Sequence, residues 1–324
     1  MTTIKEVAEE AGVSKSTVSR YIAENGYVGK DTQKKIKEAI EKLNFSPNLS
    51  ARTLKTKKTK LIGLLLPDIT NPFFPALAKG VEGFLKKEGY QILFGNIGDE
   101  GQLAEEYLKL LIQSNAAGII TAIDFSEQYP DLEIPFVVVD RVGHHSDYGV
   151  FADNEAGGYL AAQKIIEAGG KNVAVISGPV GVQSVNRRFK SSLKYLEGTQ
   201  AQVRKFYSQD YNFSVVQKEA SKLLDEFPEV DSIIAPSDIH AIAFIHEILE
   251  RGLNIPKDIQ IIGYDDILLS SFIYPLLSTI HQPAYDMGFE AAKMIVSLTL
   301  EKNIIEKQVK LPVYYVERET LRRK

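Results

Sequence analysis

Cysteine is absent from the 324 residues. That excludes disulfides, thiolate nucleophiles and cysteine-held zinc or iron–sulfur centres. No apolar run approaches the length of a membrane span, and the charged, amphipathic first 20 residues lack the apolar core of a secretion signal. No phosphate-binding or dinucleotide glycine motif occurs, since Gly95, Gly98 and Gly101 have the wrong spacing. The five histidines show no metal-ligand spacing, so neither a metal nor another cofactor is expected. Asp265 and Asp266 are adjacent and therefore diverge, which argues against a catalytic carboxylate pair. These absences argue against an enzyme and for a soluble, cytosolic binding protein long enough for two or three domains.

What is present is unevenly placed. Residues 1–60 carry 13 basic and 7 acidic side chains, whereas the rest of the chain carries 25 and 35. A basic head on an acidic body suggests that the head meets a polyanion.

The head has the pattern of a helix-turn-helix. Thr3 and Glu6 fit a capping box, and Ile4, Val7, Ala8 and Ala11 form the core stripe of one short helix. Gly12 breaks it, and Ser14 can cap a second helix from Lys15 to about Ala23. Asp31 is a candidate cap for a third, striped by Ile36, Ala39, Ile40 and Leu43. In such a motif the second helix enters the major groove of double-stranded DNA. Lys15, Ser16 and Arg20 are placed to reach base edges, while Thr17 and Ser19 are short donors suited to phosphates. Thr3, at the start of the first helix, joins the expected DNA-facing set. Ser46-Pro47 then reads as a helix start, giving a short hinge helix over 47–54. Two turns are marginal alone in water, so this helix is expected to order only on DNA.

The body alternates apolar strands with amphipathic helices. Strands are expected at 61–66, 92–95, 118–122, 136–140, 173–177, 232–235 and 259–264. Helices are expected near 73–88, 103–113, 155–168, 187–196, 213–226 and 240–251. Two runs of βα units imply two doubly wound parallel sheets, whose ligands bind at the carboxyl ends of the strands. Asn71, Phe73 and Phe74, then Asp140-Arg141, Ser237-Asp238, Asp265-Asp266 and Gln282 all fall just past strand ends, and Arg188 begins a helix. Carboxylates and guanidinium forks suit vicinal hydroxyls, and aromatic faces suit the C–H surface of a sugar.

Val13 to Arg20, Ser46-Pro47-Asn48 and Ala51-Arg52-Thr53-Leu54 resemble the head and hinge of the lactose/galactose repressor family. The resemblance extends over the body through Leu61–Pro75, Ile259–Ile267 and Gln282–Gly288, most closely in the ribose-operon branch of Gram-positive bacteria. It implies an α/β fold: an all-α DNA-binding head over 1–60 and a periplasmic-binding-protein-like effector domain over 61–324. The implied lobes are about 61–158 with 284–304, and about 159–283 with 305–324. Asn48, Ala51, Arg52, Leu54 and Lys55 would complete the DNA contacts, with Leu54 a wedge in the minor groove. Asn71, Phe73, Phe74, Asp140, Arg141, Arg188, Asp265 and Gln282 would contact the sugar. Ser237 departs from the Asn usual in relatives, Ser191 departs from their usual Gly, and Tyr211 or Phe213 would supply a third aromatic wall.

The implied activity is a repressor that binds a palindromic operator as a homodimer and answers to ribose or its phosphate. Another pentose, a hexose or sugar phosphate, a corepressor, and a phosphorylated carrier protein as further partner stay open.

Overall fold

The computed structural model describes residues 2–23, 26–45, 59–98, 101, 103–143, 145–179 and 181–323. The expected hinge helix over 47–54, with Asn48, Ala51, Arg52, Leu54 and Lys55, lies outside the described residues. The chain divides into two compact units, Met1–Thr59 and Lys60–Lys324.

The first unit packs three helices: α1 (Ile4–Glu10), α2 (Lys15–Ala23) and α3 (Lys30–Lys42). Thr3 caps α1, and Glu6 reaches back to the Thr3 main chain, closing the capping box. Ser14 Oγ accepts the Thr17 N–H at 3.2 Å and so caps α2. The expected cap of α3 is corrected: Gly29 occupies that position without a side-chain bond, and Asp31 lies in the first turn, where its charge suits the helix dipole. Val7, Ala8, Ala11, Val18, Val28, Ile36, Ala39 and Phe45 form the core.

The second unit holds two six-stranded sheets. The first sheet contains β1 (Leu61–Leu66), β2 (Gln91–Asn96), β3 (Gly118–Thr121), β4 (Phe136–Val139), β5 (Gly149–Ala152) and β11 (Gln308–Leu311). Its order is β11-β5-β4-β3-β1-β2, with every pair parallel. The second sheet contains β6 (Asn172–Ser177), β7 (Gln202–Tyr207), β8 (Ser232–Ile234), β9 (Gln260–Asp265), β10 (Thr279–His281) and β12 (Tyr314–Val316). Its order is β12-β10-β9-β8-β6-β7, and β12 is antiparallel to β10. β1, with sequence LIGLLL, and β9 are buried along nearly their whole length, as central strands covered on both faces must be.

Helices α4 (Phe73–Leu85), α5 (Ala104–Gln113) and α10 (Ala284–Thr299) cover the first sheet. Helices α6 (Asn154–Glu167), α7 (Gln183–Leu196), α8 (Phe213–Glu226) and α9 (Asp238–Glu250) cover the second. None is long and apolar enough to cross a membrane, among the described residues.

The lobe limits differ from those expected. Helix α6 packs on the second sheet, with Gly157 against Tyr264 of β9 and Ala161, Ala162 and Ile165 in that lobe's core, and β11 pairs with β5 in the first. The chain therefore crosses between lobes near 153, 283 and 312, not at 158 and 304. The reason is that β11 is short and half-polar, with sequence QVKL, so nothing in its local pattern assigns it to a sheet. Helix α7 also starts a turn earlier than expected, which puts Arg188 in its second turn.

Candidate functional site

The carboxyl ends of β4 and β9 face one another across the cleft, each delivering an aspartate. Asp140 follows β4 with φ 66°, and Asp265 ends β9 with φ 109°. Positive φ is costly for these residues, and it occurs here where two strands aim short acids at one point. Between them stands Arg188 of α7, at 3.6 Å from Asp265 Oδ1 and 4.0 Å from Asp140 Oδ1.

Arg188 is the junction of the site. Its Nε donates to Asn154 Oδ1 at 2.6 Å, Nη1 to the Pro236 carbonyl at 3.0 Å, and Nη2 to Gln282 Oε1 at 2.7 Å. Its guanidinium lies 3.7 Å from the centre of the Tyr264 ring. Asn154 opens α6 and Gln282 follows β10, so one side chain ties together two of the three chain crossings. Two glycines make this possible. A Cβ on Gly158 would lie 2.1 Å from the Arg188 carbonyl, and one on Gly157 would lie 2.2 Å from the Tyr264 hydroxyl.

Burial sets the electrostatics. It pushes the Asp265 carboxyl well above its ordinary value, with Asp238 and Asp140 adding to the rise and Arg188 opposing it. Burial raises Asp140 as well, against the pull of Arg188 and Arg141. Burial opposes the charge of Arg188, but Tyr264 and the two aspartates outweigh it, so the guanidinium stays protonated. Asp140 Oδ1 and the Tyr264 hydroxyl are buried and find no hydrogen-bond partner among the described residues. A buried acceptor without a donor costs roughly 1–3 kcal/mol, which a ligand hydroxyl can return.

Arg141 sits between aromatic rings from both lobes, 5.9 Å from Phe74 and 5.7 Å from Tyr211. Of the two candidates for a third wall, Tyr211 reaches the site, while the Phe213 ring meets His246, 6.5 Å away, and is 40% exposed. Phe73 and Phe74 meet edge to face at 5.3 Å, both in the core of the first lobe. Asn71 Oδ1 accepts the Phe73 N–H at 3.1 Å, which fixes the turn into α4.

The two serines that depart from the family's usual residues each find a partner within the fold. Ser237 caps α9, and its Oγ is engaged by the main chain and ring of His240 at 3.3 and 2.9 Å. Ser191 Oγ donates to the Glu155 carbonyl at 2.6 Å, joining α7 to α6. Asp266 turns away from Asp265, pairing with Arg318 at 2.6 Å and His281 at 2.9 Å.

Two residues of the site were not singled out from the sequence. Asn154 and Tyr264 contact Arg188, and the signal for them is the Asp-Asn start of α6 and the aromatic that precedes Asp265. Asp238 is buried and takes bonds from Ile267 N at 2.9 Å, Ser270 Oγ at 2.6 Å and Thr279 Oγ1 at 2.6 Å, bracing the segment behind Asp265. Among the described residues no cluster could hold a metal.

On the first unit, Lys15, Ser16, Ser19 and Arg20 are exposed along α2, opposite the buried Val18. Thr17 is half-buried, with Oγ1 2.8 Å from Ser14 Oγ, and Thr3 is committed to its capping box.

Residues 3–48 match the family described as bacterial regulatory proteins, lacI family, and residues 162–321 match the periplasmic binding protein-like domain. The ribose operon repressor of Lactococcus lactis subsp. lactis is 61% identical over 324 residues, spanning 100% of this chain and 99% of that protein. The ribose operon repressor of Bacillus subtilis is 42% identical over 325 residues, spanning 100% and 99%. A LacI family transcriptional regulator from Enterococcus faecium, solved with bound ribose, superposes with a TM-score of 0.73 at 28% identity, covering 81% of this chain and 98% of that one. With a matching head, a matching effector domain and relatives of this identity along its whole length, the chain belongs to the lacI family of bacterial regulatory proteins.

Proposed function

We propose that this protein represses transcription as a homodimer on a palindromic operator and that ribose, taken up in the cleft, releases it. The observation that carries the ligand reading is the buried Asp140–Arg188–Asp265 row, with acceptors on both sides of one guanidinium. Asp140, Asp265, Asn154 and Gln282 offer acceptors, Arg188 and Arg141 offer donors, and Phe74 and Tyr211 offer faces. Asn71, Phe73 and Ser237 support this shell by fixing the turns that carry it. The two acids balance the two arginines, which suits a neutral polyol and opposes a phosphate dianion. The ribose operon repressors at 61% and 42% identity, and the ribose held by the Enterococcus regulator, support the same ligand.

Residues 1–60 serve as the reading head. Lys15, Ser16, Thr17, Ser19 and Arg20 face the major groove, with Thr3 at its edge, and the hinge residues Asn48, Ala51, Arg52, Leu54 and Lys55 follow the minor groove. A cytosolic regulator, not an enzyme, fits Asp266 being taken up by His281 and Arg318 rather than paired with Asp265. The homodimer is supported by an exposed apolar face on the second lobe, where Leu268, Phe272 and Tyr274 are 69%, 73% and 85% exposed. Closure of the cleft in each protomer is the event that loosens the hold of the reading heads on the operator.

The test is an operator mobility shift with titrated ribose, beside thermal shifts with ribose, ribose 5-phosphate and hexoses. Ribose should raise the melting temperature and lower operator affinity. A rise in operator affinity replaces the inducer with a corepressor; response to another sugar, or to the phosphate alone, overturns the ligand.

A further inference from the structure

Behind the cleft runs a chain of hydrogen bonds that ligand contact does not explain. Ser237 Oγ lies 2.9 Å from His240 Nδ1. His240 Nε2 lies 3.0 Å from Ser208 Oγ. Ser208 Oγ lies 2.5 Å from Glu219 Oε2 and 3.1 Å from the Asp210 carbonyl. Glu219 Oε1 accepts the Gln209 N–H at 2.8 Å. Ser208, Ser237 and His240 are all buried.

The order of protons along this chain follows from what each group can do. A carboxylate and a carbonyl only accept, so the Ser208 proton goes to one of them. Ser208 Oγ must then accept from His240, which places the ring proton on Nε2. The ring is neutral, because burial pushes the His240 pKa down to about 4, against a bond to the Asp210 carbonyl. A neutral imidazole protonated on Nε2 has a bare Nδ1, and that nitrogen takes the Ser237 hydroxyl proton. One lone pair of Ser237 already receives the His240 main-chain N–H at 3.3 Å. Only the other remains.

The same loop carries Tyr211. Its ring meets the His240 ring edge to face at 5.4 Å and the Arg141 guanidinium at 5.7 Å. Residues 208–211 are thus held from behind by the imidazole that also holds the cap of α9.

We propose that His240 is a positioning residue for the effector site, fastening the Tyr211 loop to the start of α9 and leaving position 237 with a lone pair but no proton for the ligand. This rests on reading the cleft as the ribose site. A sugar hydroxyl that reaches Ser237 must therefore donate. Tyr211 keeps its place opposite Phe74 only while the relay is intact.

Two measurements on the full chain test this. Nitrogen NMR of His240 without ligand should show a neutral ring with its proton on Nε2 between pH 5.5 and 8. Ribose titration should show His240→Phe weakening binding about tenfold, one buried hydrogen-bond network's worth. Tyr211→Ala should also weaken it, and the double variant should be no weaker than Tyr211→Ala alone, since contacts acting through one group do not add. Glu219→Ala releases the same loop from a less buried position and should reproduce a several-fold loss even where His240→Phe does not fold. A proton on Nδ1, full additivity in the double variant, or ribose binding at the unaltered level in both His240→Phe and Glu219→Ala would overturn the proposal. If the unaltered protein does not bind ribose, the ligand reading fails, and the tautomer still decides the relay.

Discussion

Arg188→Lys is the sharpest probe of the cleft. Arg188 serves three buried acceptors at 2.6, 3.0 and 2.7 Å and stands between two buried acids. Lysine keeps the charge, but a single ammonium cannot fork to Asn154, Pro236 and Gln282 at once. At roughly 1–3 kcal/mol for each buried group left unserved, two lost bonds amount to about 2–6 kcal/mol. Water entry and protonation of the already raised Asp140 and Asp265 relieve part of this, so about 2–4 kcal/mol of stability should be lost. That is a large share of the roughly 5–15 kcal/mol that stabilises a typical folded protein, yet within it. Ribose affinity should fall about 30- to 1000-fold, corresponding to about 2–4 kcal/mol. Calorimetric titration of ribose into the full chain gives the affinity, urea unfolding gives the stability, and an operator shift shows whether the head still works. Operator affinity without sugar should be unchanged. If Arg188→Lys binds ribose within threefold of the unaltered protein and still leaves the operator, the cleft assignment is refuted.

Asp238 and His240 titrate against each other. Burial raises Asp238 from 3.8 to about 6, so the folded state keeps a proton that the unfolded state has lost, and stability falls as pH rises from about 4 to 6. Burial lowers His240 from 6.5 to about 4, so the unfolded state takes a proton that the folded state refuses, and stability rises over nearly the same window. Each is worth about 3 kcal/mol and the two nearly cancel. Urea unfolding between pH 4 and 6.5 should show stability rising more with pH in Asp238→Asn than in the unaltered protein, and rising less or falling more in His240→Phe; changes of slope in the same direction in both variants would contradict the burial argument. Gly80→Ala places a Cβ 2.0 Å from the Tyr285 carbonyl where α4 meets α10, and should cost about 1–3 kcal/mol in urea unfolding. Gly198→Ala, with nothing closer than 3.6 Å, should be neutral or slightly stabilising; equal losses in both would deny the close packing. Lys15→Ala and Arg20→Ala should each weaken operator binding by about 1–3 kcal/mol if they read bases, or flatten the salt dependence by about one ion if they touch phosphates. Unchanged binding at both salts would remove them from the interface.

The sequence announces the parts of this molecule whose reasons are local. β1 and α4 are legible because LIGLLL is a continuous apolar run and because Asn71-Pro72 is a helix entry. The apolar stripe of α3 is legible too, though not that Gly29 rather than Asp31 would stand at its cap. What stays hidden depends on partners distant in the chain. β7 reads QVRKFY and is mostly exposed, so an edge strand looks like a loop until β6 pairs with it. β11 belongs to the first sheet only because β5 waits for it, more than 150 residues earlier. Residues at strand ends could be picked out by position, which found Asp140, Asp265 and Gln282. Their division of labour could not. Nothing local shows that Asp265 turns to Arg188 while Asp266 turns to Arg318, or that Ser237 spends its hydroxyl on His240.

The three crossings between lobes also govern how the protein is made. The first lobe begins with β1 at Leu61 but is not closed until α10 and β11, ending at Leu311, have left the ribosome. At about 5–20 residues per second, that is roughly 10–50 s of translation. Through that time the face of α4 that will receive α10, including Leu77 and Val81, has no cover of its own. The second lobe is split in the same way, because its strand β12 (Tyr314–Val316) follows β11 and is made last. A nascent chain of this design is exposed to chaperones and proteases for most of its synthesis, and a stop codon anywhere before α10 removes both lobes, not one.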